Sequence, residues 1–395
     1  MKRIHTLAIA LTACLAAWSQ QAQEIPGLVR KGHDTTWYTL QREAWEHEVA
    51  QRPTDEKAWR NLFRASYYAD LTGGAFQRMP NDSTPTGHIL QRMGQVLPES
   101  FTYNLCRYRI AQGFPSTHAD QAIRLVPQDV HPEDLATLSS YLWMTGETQP
   151  GGRREGELRQ LMQREYALEA YPERTLRYAY NMLQSMDTGA VYFANGDLAL
   201  LPPRLLQVVL GVRPDVTLVP LSFLHLEAFR EALFQHLDVP AFEVRRDYAT
   251  LGDEWRKAYQ TDLVEHIIRH VKGKAYFFPD ILTHTTLPQE RLYNEGLLLR
   301  YSAKPYDNGR VRRRNAEEVY HMEYLTEPKF QIDPWEGSTH LTLNYVTLLA
   351  PLLQTYRAEG NKDRERWLYR ILEQCIEQSD LNNERLEPYR QLLKP

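Results

Sequence analysis

The sequence predicts an α/β plus α protein in which a helical-repeat region, a small parallel-sheet Rossmann-like module and a C-terminal helical hairpin follow one another. In the first part, aromatic-rich helical patterns each follow a proline. In the middle, short apolar runs alternate with helical patterns. At the end, Gly360-Asn361 separates two amphipathic patterns. We expect a signal peptide at residues 1–22 and regions at 30–187, 188–312 and 313–395.

The composition is typical of a folded, soluble protein and shows no concentration of basic residues. The 395 residues are 43% hydrophobic and 24% charged, with a formal net charge of −4. Nucleic-acid binding needs clustered positive charge, so we expect no nucleic-acid partner. Three cysteines are too few for a disulfide framework. Cys106 and Cys375 lie in apolar helical patterns, as two buried thiols or as one long-range disulfide in an oxidising compartment.

The N-terminus has the pattern of a secretory signal. Lys2 and Arg3 precede an apolar run at residues 7–18, and cleavage after Ala22 fits the small-residue rule. The run is too short to cross a bilayer. Alternatively, Leu11-Thr12-Ala13-Cys14 fits a lipobox and would leave Cys14 lipidated. Either route predicts an exported protein, periplasmic or associated with the outer membrane, with lipid contact only through Cys14.

Residues 30–187 contain a degenerate repeat. A proline, then an acid, then an aromatic-rich helix recur at Pro53, Pro98, Pro132 and Pro172. Proline followed by an acid marks a helix start, because proline lacks the N–H that would be unpaired there. The pattern resembles tetratricopeptide-type helical hairpins, which stack into arrays; a plain helical bundle is the alternative. Surplus aromatics on such an array serve as anchors for a protein partner, and the candidates are Trp37, Trp45, Tyr67 and Tyr108.

The middle region alternates strands with helices. Strands are predicted at Val191–Ala194 and at residues 216–219, 275–278 and about 295–302. Helices are predicted from Pro202-Pro203 to residue 209, over 224–236 and over 254–271, and the last region adds 341–357 and 362–378. Strands separated by helices favour parallel pairing with right-handed crossovers.

One family shares the order of motifs in this region. Asn195-Gly196-Asp197 ends a strand, a helix follows, and Gly211-Val212-Arg213-Pro214-Asp215-Val216 leads into the next strand; Glu295-Gly296 comes later. This order resembles the soluble C-terminal module of bacterial multi-pass glycosyltransferases of the protein O-mannosyltransferase type. The resemblance covers about 110 residues and implies a shared accessory module. It does not imply glycosyl transfer, because the membrane-embedded catalytic part has no counterpart and Leu198-Ala199-Leu200-Leu201 replaces the family's polar continuation.

The ends of the predicted strands carry the candidate ligand-binding residues. The carboxyl ends of parallel strands meet at one edge, where open α/β sheets bind ligands. The residues expected there are Asn195, Gly196, Asp197, Ser222, Asp280 and His284. Alternatively, Asn195 and Asp197 cap the next helix. In Glu265-His266-Ile267-Ile268-Arg269-His270, isoleucine stands where a zinc protease needs glutamate. We therefore assign no catalytic residue, metal or cofactor.

These features predict an exported scaffold or adaptor that binds a protein partner in the bacterial cell envelope through its helical repeats. The alternative is a cell-envelope glycan-binding protein or glycan-processing enzyme that uses the strand-end edge. The two differ in what they need from the carboxylates at that edge. A scaffold tolerates Asp197→Ala with Asp280→Ala, whereas a glycan binder or enzyme loses its ligand.

Overall fold

The computed structural model describes residues 21–28, 30–73, 80–111, 113–244, 246–327, 336–379 and 381–395. Nearly all of the predicted signal peptide, with Cys14, lies outside these ranges. The chain divides into two compact units, the first ending at Asp134 and the second beginning at Leu135. Within the described ranges, no helix combines the length and the apolar character needed to cross a membrane.

The first unit is built of consecutive helices. They are α1 (Thr35–Gln51), α2 (Glu56–Thr72), α3 (Pro85–Val96), α4 (Phe101–Ile110), α5 (Thr117–Leu125) and the start of α6 (Pro132–Met144). The first five begin after a side chain that accepts a hydrogen bond from a backbone N–H of the first turn: Asp34, Asp55, Thr84, Ser100 and Ser116. Pro53 and Pro98 precede α2 and α4, and Pro132 opens α6, which confirms their prediction as helix-start signals.

Aromatic side chains fill the core of the first unit. α2 packs against α1, α3 and α4, and α4 packs against α5. Trp45 and Trp59 are buried, and their indole N–H groups donate to the carbonyl oxygens of Gln23 (2.7 Å) and Pro53 (2.8 Å). A buried indole needs such an acceptor. Both buried indoles therefore have their donors satisfied.

A charged network is buried beside this core. Arg60 Nε donates to Asp134 Oδ2 at 2.6 Å, and Arg64 Nη2 donates to Asp134 Oδ1 at 2.8 Å. Arg64 also donates to Glu133. Burial alone would raise the pKa of Asp134, but the two arginines outweigh that effect and lower it. The network joins two cations to two carboxylates, as buried charges require.

The second unit contains helices on a small sheet. After α6 come α7 (Glu155–Ala167), α8 (Glu173–Ser185), β1 (Val191–Ala194), α9 (Asp197–Leu210), β2 (Thr217–Pro220), α10 (Glu227–Leu237), α11 (Trp255–His270), β3 (Ala275–Phe277), α12 (Ile281–His284), β4 (Leu292–Asn294), β5 (Leu299–Tyr301), α13 (Asn308–Arg314), α14 (Glu336–Ala358), α15 (Lys362–Glu377) and α16 (Asn383–Leu393). Short 3-10 helices at Leu221–His225, Tyr248–Glu254, Gln289–Arg291 and Glu323–Thr326, and a π-turn at Asn315–Val319, connect them.

The sheet is mixed. Its five strands lie in the order β2-β1-β3-β5-β4. β1 pairs in parallel with β2 and β3, as predicted, whereas β5 pairs antiparallel with both β3 and β4. The prediction of an all-parallel sheet is wrong for the last strands, because β4 and β5 form a hairpin whose turn is too short for a parallel crossover. In that turn Glu295 N–H donates to Leu298 O at 3.0 Å, and Gly296 has φ of +121°.

Helix α9 begins earlier than predicted. It starts at Asp197, so Pro202 and Pro203 lie inside it instead of opening it. Pro203 has no N–H to give to the carbonyl of Ala199, one turn earlier. The hydroxyl of Tyr192 donates to that carbonyl instead, at 3.2 Å. The missing helical bond is thereby replaced from β1, and Gly211 ends the helix in the left-handed conformation.

One hydrophobic core spans the second unit. It includes Tyr178 of α8, Phe193 and Phe277 of the sheet, Tyr345 of α14 and Leu372 of α15. α14 packs against both α15 and α16, so the predicted terminal pair of helices is confirmed and joined by a third. The boundary predicted at residue 187 lies between α8 and β1, whereas that at residue 312 falls inside α13. Side chains from both sides of each share this core. The division into compact units falls earlier, within α6. Cys106 and Cys375 are both free and buried.

Candidate functional site

The carboxyl ends of β1 and β3 place Asn195 and Asp280 at one edge of the sheet. The two strands are parallel neighbours, with Val191 opposite Ala275, and the Phe278 N–H continues the pairing by donating to Phe193 O at 3.0 Å. Asn195 and Asp280 are the polar residues that follow, and both are half-buried. The strand-end prediction thus identifies side chains that lie at one edge of the sheet.

Gly196 and Asp197 lie at the start of α9. Gly196 occupies the N-cap position with φ of +89° and, having no side chain, makes no capping hydrogen bond of its own. Capping of this helix by Asn195 and Asp197, the alternative interpretation, stays a prediction. Asp197 is exposed in the first turn, where the helix dipole favours a carboxylate.

Asp280 and His284 form an ion pair across the short helix α12. Asp280 Oδ2 lies 3.3 Å from His284 Nε2, and the two side chains are 40% and 29% exposed. The other carboxylate oxygen, Oδ1, is buried and has no hydrogen-bond partner among the described residues. Burial raises the pKa of the Asp280 carboxyl, and His284 opposes that rise.

Buried phenols lie behind this pair. Burial raises the pKa values of Tyr178 and Tyr192 well above their ordinary range, and the charge of Asp280 adds to both. Asn344 Nδ2 donates to the Tyr178 hydroxyl at 3.1 Å.

Ser222 lies on the same edge but farther from Asp280. It is exposed in the 3-10 helix Leu221–His225 that follows β2. Because β1 separates β2 from β3 in the sheet, the end of β1 lies between Ser222 and Asp280. The structure therefore brings Asp280 and His284 together, places Asn195 at the same edge and places Ser222 at one margin.

Each histidine of the α11 pair has one ring nitrogen next to a backbone carbonyl oxygen, which leaves only the other nitrogen to ligate a metal. His266 is buried, with Nε2 lying 2.8 Å from the carbonyl oxygen of Pro240. His270 Nδ1 lies 2.8 Å from the carbonyl oxygen of His266. In the part of the chain that the structure describes, no group of three or more His, Cys, Asp or Glu side chains could hold a metal ion.

The candidate partner anchors of the first unit separate into two classes. Trp45 and Tyr67 are each 7% exposed and belong to the core. Trp37 and Tyr108 are half-buried. Trp37 stacks on His33 with ring centroids 3.7 Å apart, and Leu40, one turn later, is 40% exposed. Trp37 and Tyr108 therefore remain as surface candidates.

Sequence reasoning missed a second polar cluster in the second unit. Glu295 is 3% exposed, accepts from the Tyr306 hydroxyl at 2.6 Å and from Arg300 Nη1 at 3.2 Å. Arg300 also lies over the Tyr306 ring, 4.5 Å from its centroid. Glu295-Gly296 entered the sequence argument only through the family resemblance. The Glu295 carboxylate is paired with both Tyr306 and Arg300, so the cluster stabilises the hairpin.

Comparison of the chain with models of protein families, with curated proteins and with solved structures finds no match to any of them. The resemblance to the soluble module of the O-mannosyltransferase-type glycosyltransferases therefore stays a prediction.

Proposed function

We propose that this protein is an exported scaffold or adaptor of the bacterial cell envelope that binds a protein partner through the helices of its first unit. The predicted signal peptide supports export. The succession of short helices, each packed on a sequence neighbour and several entered after a proline, supports divergent tetratricopeptide-like repeats. Proteins of this architecture use their helical surfaces for binding.

One observation carries this proposal: the environment of Trp37. The indole N–H groups of the buried Trp45 and Trp59 bond to carbonyl oxygens, whereas that of Trp37 has no hydrogen-bond partner among the described residues. Trp37 lies on the same face of α1 as the exposed Leu40. A half-buried tryptophan with a free donor beside an exposed leucine has the properties of a binding hot spot.

Affinity capture of the tagged, exported protein from the envelope fraction, followed by mass spectrometry, tests this proposal. Three variants are compared with the wild type: Trp37→Ser, Trp255→Ser and the double variant Asp197→Ala/Asp280→Ala. Trp255 is the matched control, since it is a tryptophan of the second unit that is 40% exposed. One protein retained by the wild type, the control and the double variant, and lost with Trp37→Ser, is the expected result. Recovery of no protein, or equal loss with Trp255→Ser, would overturn it.

A second candidate function rests on the strand-end site. The Asp280–His284 pair and the Asn195 amide offer hydrogen-bonding groups of the kind that bind sugar hydroxyls. The unpartnered Oδ1 of Asp280 supports a ligand there, because a buried acceptor without a partner is costly. Together with the resemblance, this favours a cell-envelope glycan as the ligand, bound or processed at this edge.

A thermal-shift screen with envelope sugars tests the second candidate. If the edge binds glycans, we expect one sugar to raise the melting temperature of the wild type. The same sugar should raise that of the Ser222→Ala variant by a smaller amount and leave that of Asp280→Asn unchanged. Absence of any shift, together with a partner captured as above, would exclude this candidate in favour of the scaffold.

A further inference from the structure

An open cleft in the second unit has no role in either proposed function. It lies between the first half of α15 and the segment at residues 316–326, with a volume of about 580 Å³. Ligand pockets of this size hold small molecules or a few residues of peptide. The buried side chains of Tyr320, Met322 and Ile371 line it. The lining therefore combines these apolar and aromatic side chains with charged ones.

Two arginines at this cleft have no partner in the part of the chain that the structure describes. Arg366 and Arg370 are exposed on α15, one helical turn apart, and neither has a hydrogen bond or ion pair with any residue in the described ranges. This differs from the other arginine of the cleft: Arg364 Nε lies 3.7 Å from Glu317, which also accepts from the Tyr356 hydroxyl at 2.6 Å. The charge of Glu317 is thus already compensated within the protein.

The remaining charged groups of the cleft restrict the ligand. Glu323 and Asp363 also line it. A ligand with negative charge distributed over the whole cleft would be repelled by these carboxylates. A ligand with its negative charges confined to the arginine pair, and with apolar groups elsewhere, would match both the charges and the inner surface.

We propose that this cleft binds a short extended peptide segment in which two acidic side chains alternate with apolar ones. Alternate side chains of an extended peptide are spaced at roughly 6.6–6.8 Å, close to the roughly 5–6 Å between side chains one turn apart on a helix. Each carboxylate would pair with one of Arg366 and Arg370 in a charge-assisted bond. An acidic saccharide fits less well, because Arg364 lies over the Trp367 ring, 5.5 Å from its centroid, where a sugar would stack. The proposal is independent of the first unit.

Fluorescence anisotropy with a fluorescein-labelled Gly-Phe-Glu-Val-Glu-Phe-Gly peptide tests the cleft. We expect saturable binding to the full chain that weakens as salt is raised, and no saturation by the peptide with glutamine in place of both glutamates. The variant Arg366→Gln/Arg370→Gln should weaken binding by at least about tenfold, since it removes two charge-assisted bonds.

The matched control is Arg310→Gln/Arg385→Gln. It removes the same charge from two exposed arginines outside the cleft and should change the affinity by less than about twofold, because exposed charges at a distance are screened. Equal loss in both double variants, or no binding of the acidic peptide to the wild type, would overturn the proposal. Competition by trigalacturonate together with failure of the peptide would overturn the assignment of a peptide as the occupant.

Discussion

The two units use buried carboxylates in different ways. In the first unit, Asp134 is 2% exposed, and both of its oxygens accept from Arg60 or Arg64. At the strand end of the second unit, Asp280 is half-buried, one oxygen faces His284, and the other has no partner among the described residues. The pKa of Asp134 is lowered, whereas that of Asp280 is raised.

This contrast separates a carboxylate that stabilises the fold from one that is available to a ligand. Desolvating a charge is costly, so a buried carboxylate persists when arginines compensate it fully. A carboxylate left partly uncompensated costs stability and is a candidate for function. Asp134 belongs to the first class and Asp280 to the second.

The largest expected effect is the loss of Asp134. Asp134→Ala leaves two buried arginines without their shared carboxylate, and we expect it to lower the free energy of unfolding by about 4 kcal/mol. Urea denaturation followed by circular dichroism measures this. The control is Glu46→Ala, which removes the exposed partner of Arg92 and should cost less than about 1 kcal/mol. Similar costs for the two variants would contradict the structural role of Asp134.

Glu165 is a buried carboxyl group that no arginine of the described residues compensates. Its effect on stability should therefore depend on pH near neutrality, in contrast to that of Asp134. Burial raises its pKa to about 8, and the Ser139 hydroxyl donates to it. The folded protein therefore holds this proton at pH values where the unfolded chain, with a pKa near 4.5, has released it. The stabilisation is complete below the unfolded pKa and is lost as pH rises towards 8.

Glu165→Gln should remove this pH dependence, because glutamine carries no titrating proton. The free energy of unfolding of the variant, measured from denaturation curves between pH 5 and 8, should therefore lack the part of the pH dependence that this carboxyl group causes. An unchanged slope of stability against pH in the variant would show that Glu165 is not the group responsible.

Tyr192→Phe tests the structural side of the strand end. It removes the hydroxyl that donates to the Ala199 carbonyl inside α9, so we expect a loss of about 1 kcal/mol. Ligand or partner binding should be unchanged, because the side chain is fully buried. A Phe variant as stable as the wild type would mean that α9 tolerates Pro203 without this bond.

Asp280→Asn should have the smallest effect on folding. Burial disfavours the charged form of Asp280, so we expect its neutral isostere to change the free energy of unfolding by less than about 0.5 kcal/mol. If the strand end binds a ligand, the same variant loses it. A loss of stability as large as that of Asp134→Ala would place Asp280 in the structural class and break the comparison.

Local signals were sufficient to predict many elements. β1 was predicted with its observed bounds, since four consecutive β-branched, aromatic and small apolar residues precede Asn195. The prolines before α2 and α4 were also informative, because proline acts on its own neighbours. The placement of Asn195 and Asp280 at one edge of the sheet followed from the rule that the carboxyl ends of parallel strands meet there.

Long-range contacts explain what the sequence did not reveal. Arg60 and Asp134 are separated by 74 positions, and no local pattern identifies them as partners. The continuation of α9 through Pro202 and Pro203 depends on Tyr192 of the preceding strand. The antiparallel pairing of β5 with β3 depends on how the hairpin at Gly296 docks on the sheet. Each is decided by packing between elements.

Site-specific photocrosslinking in cells exporting the protein tests the central functional claim most directly. A photoreactive amino acid is placed in turn at positions 37, 108, 222 and 284. The scaffold account predicts that positions 37 and 108 crosslink to one and the same protein, and that positions 222 and 284 do not. Crosslinks formed only from 222 and 284, with none from 37 and 108, would contradict it.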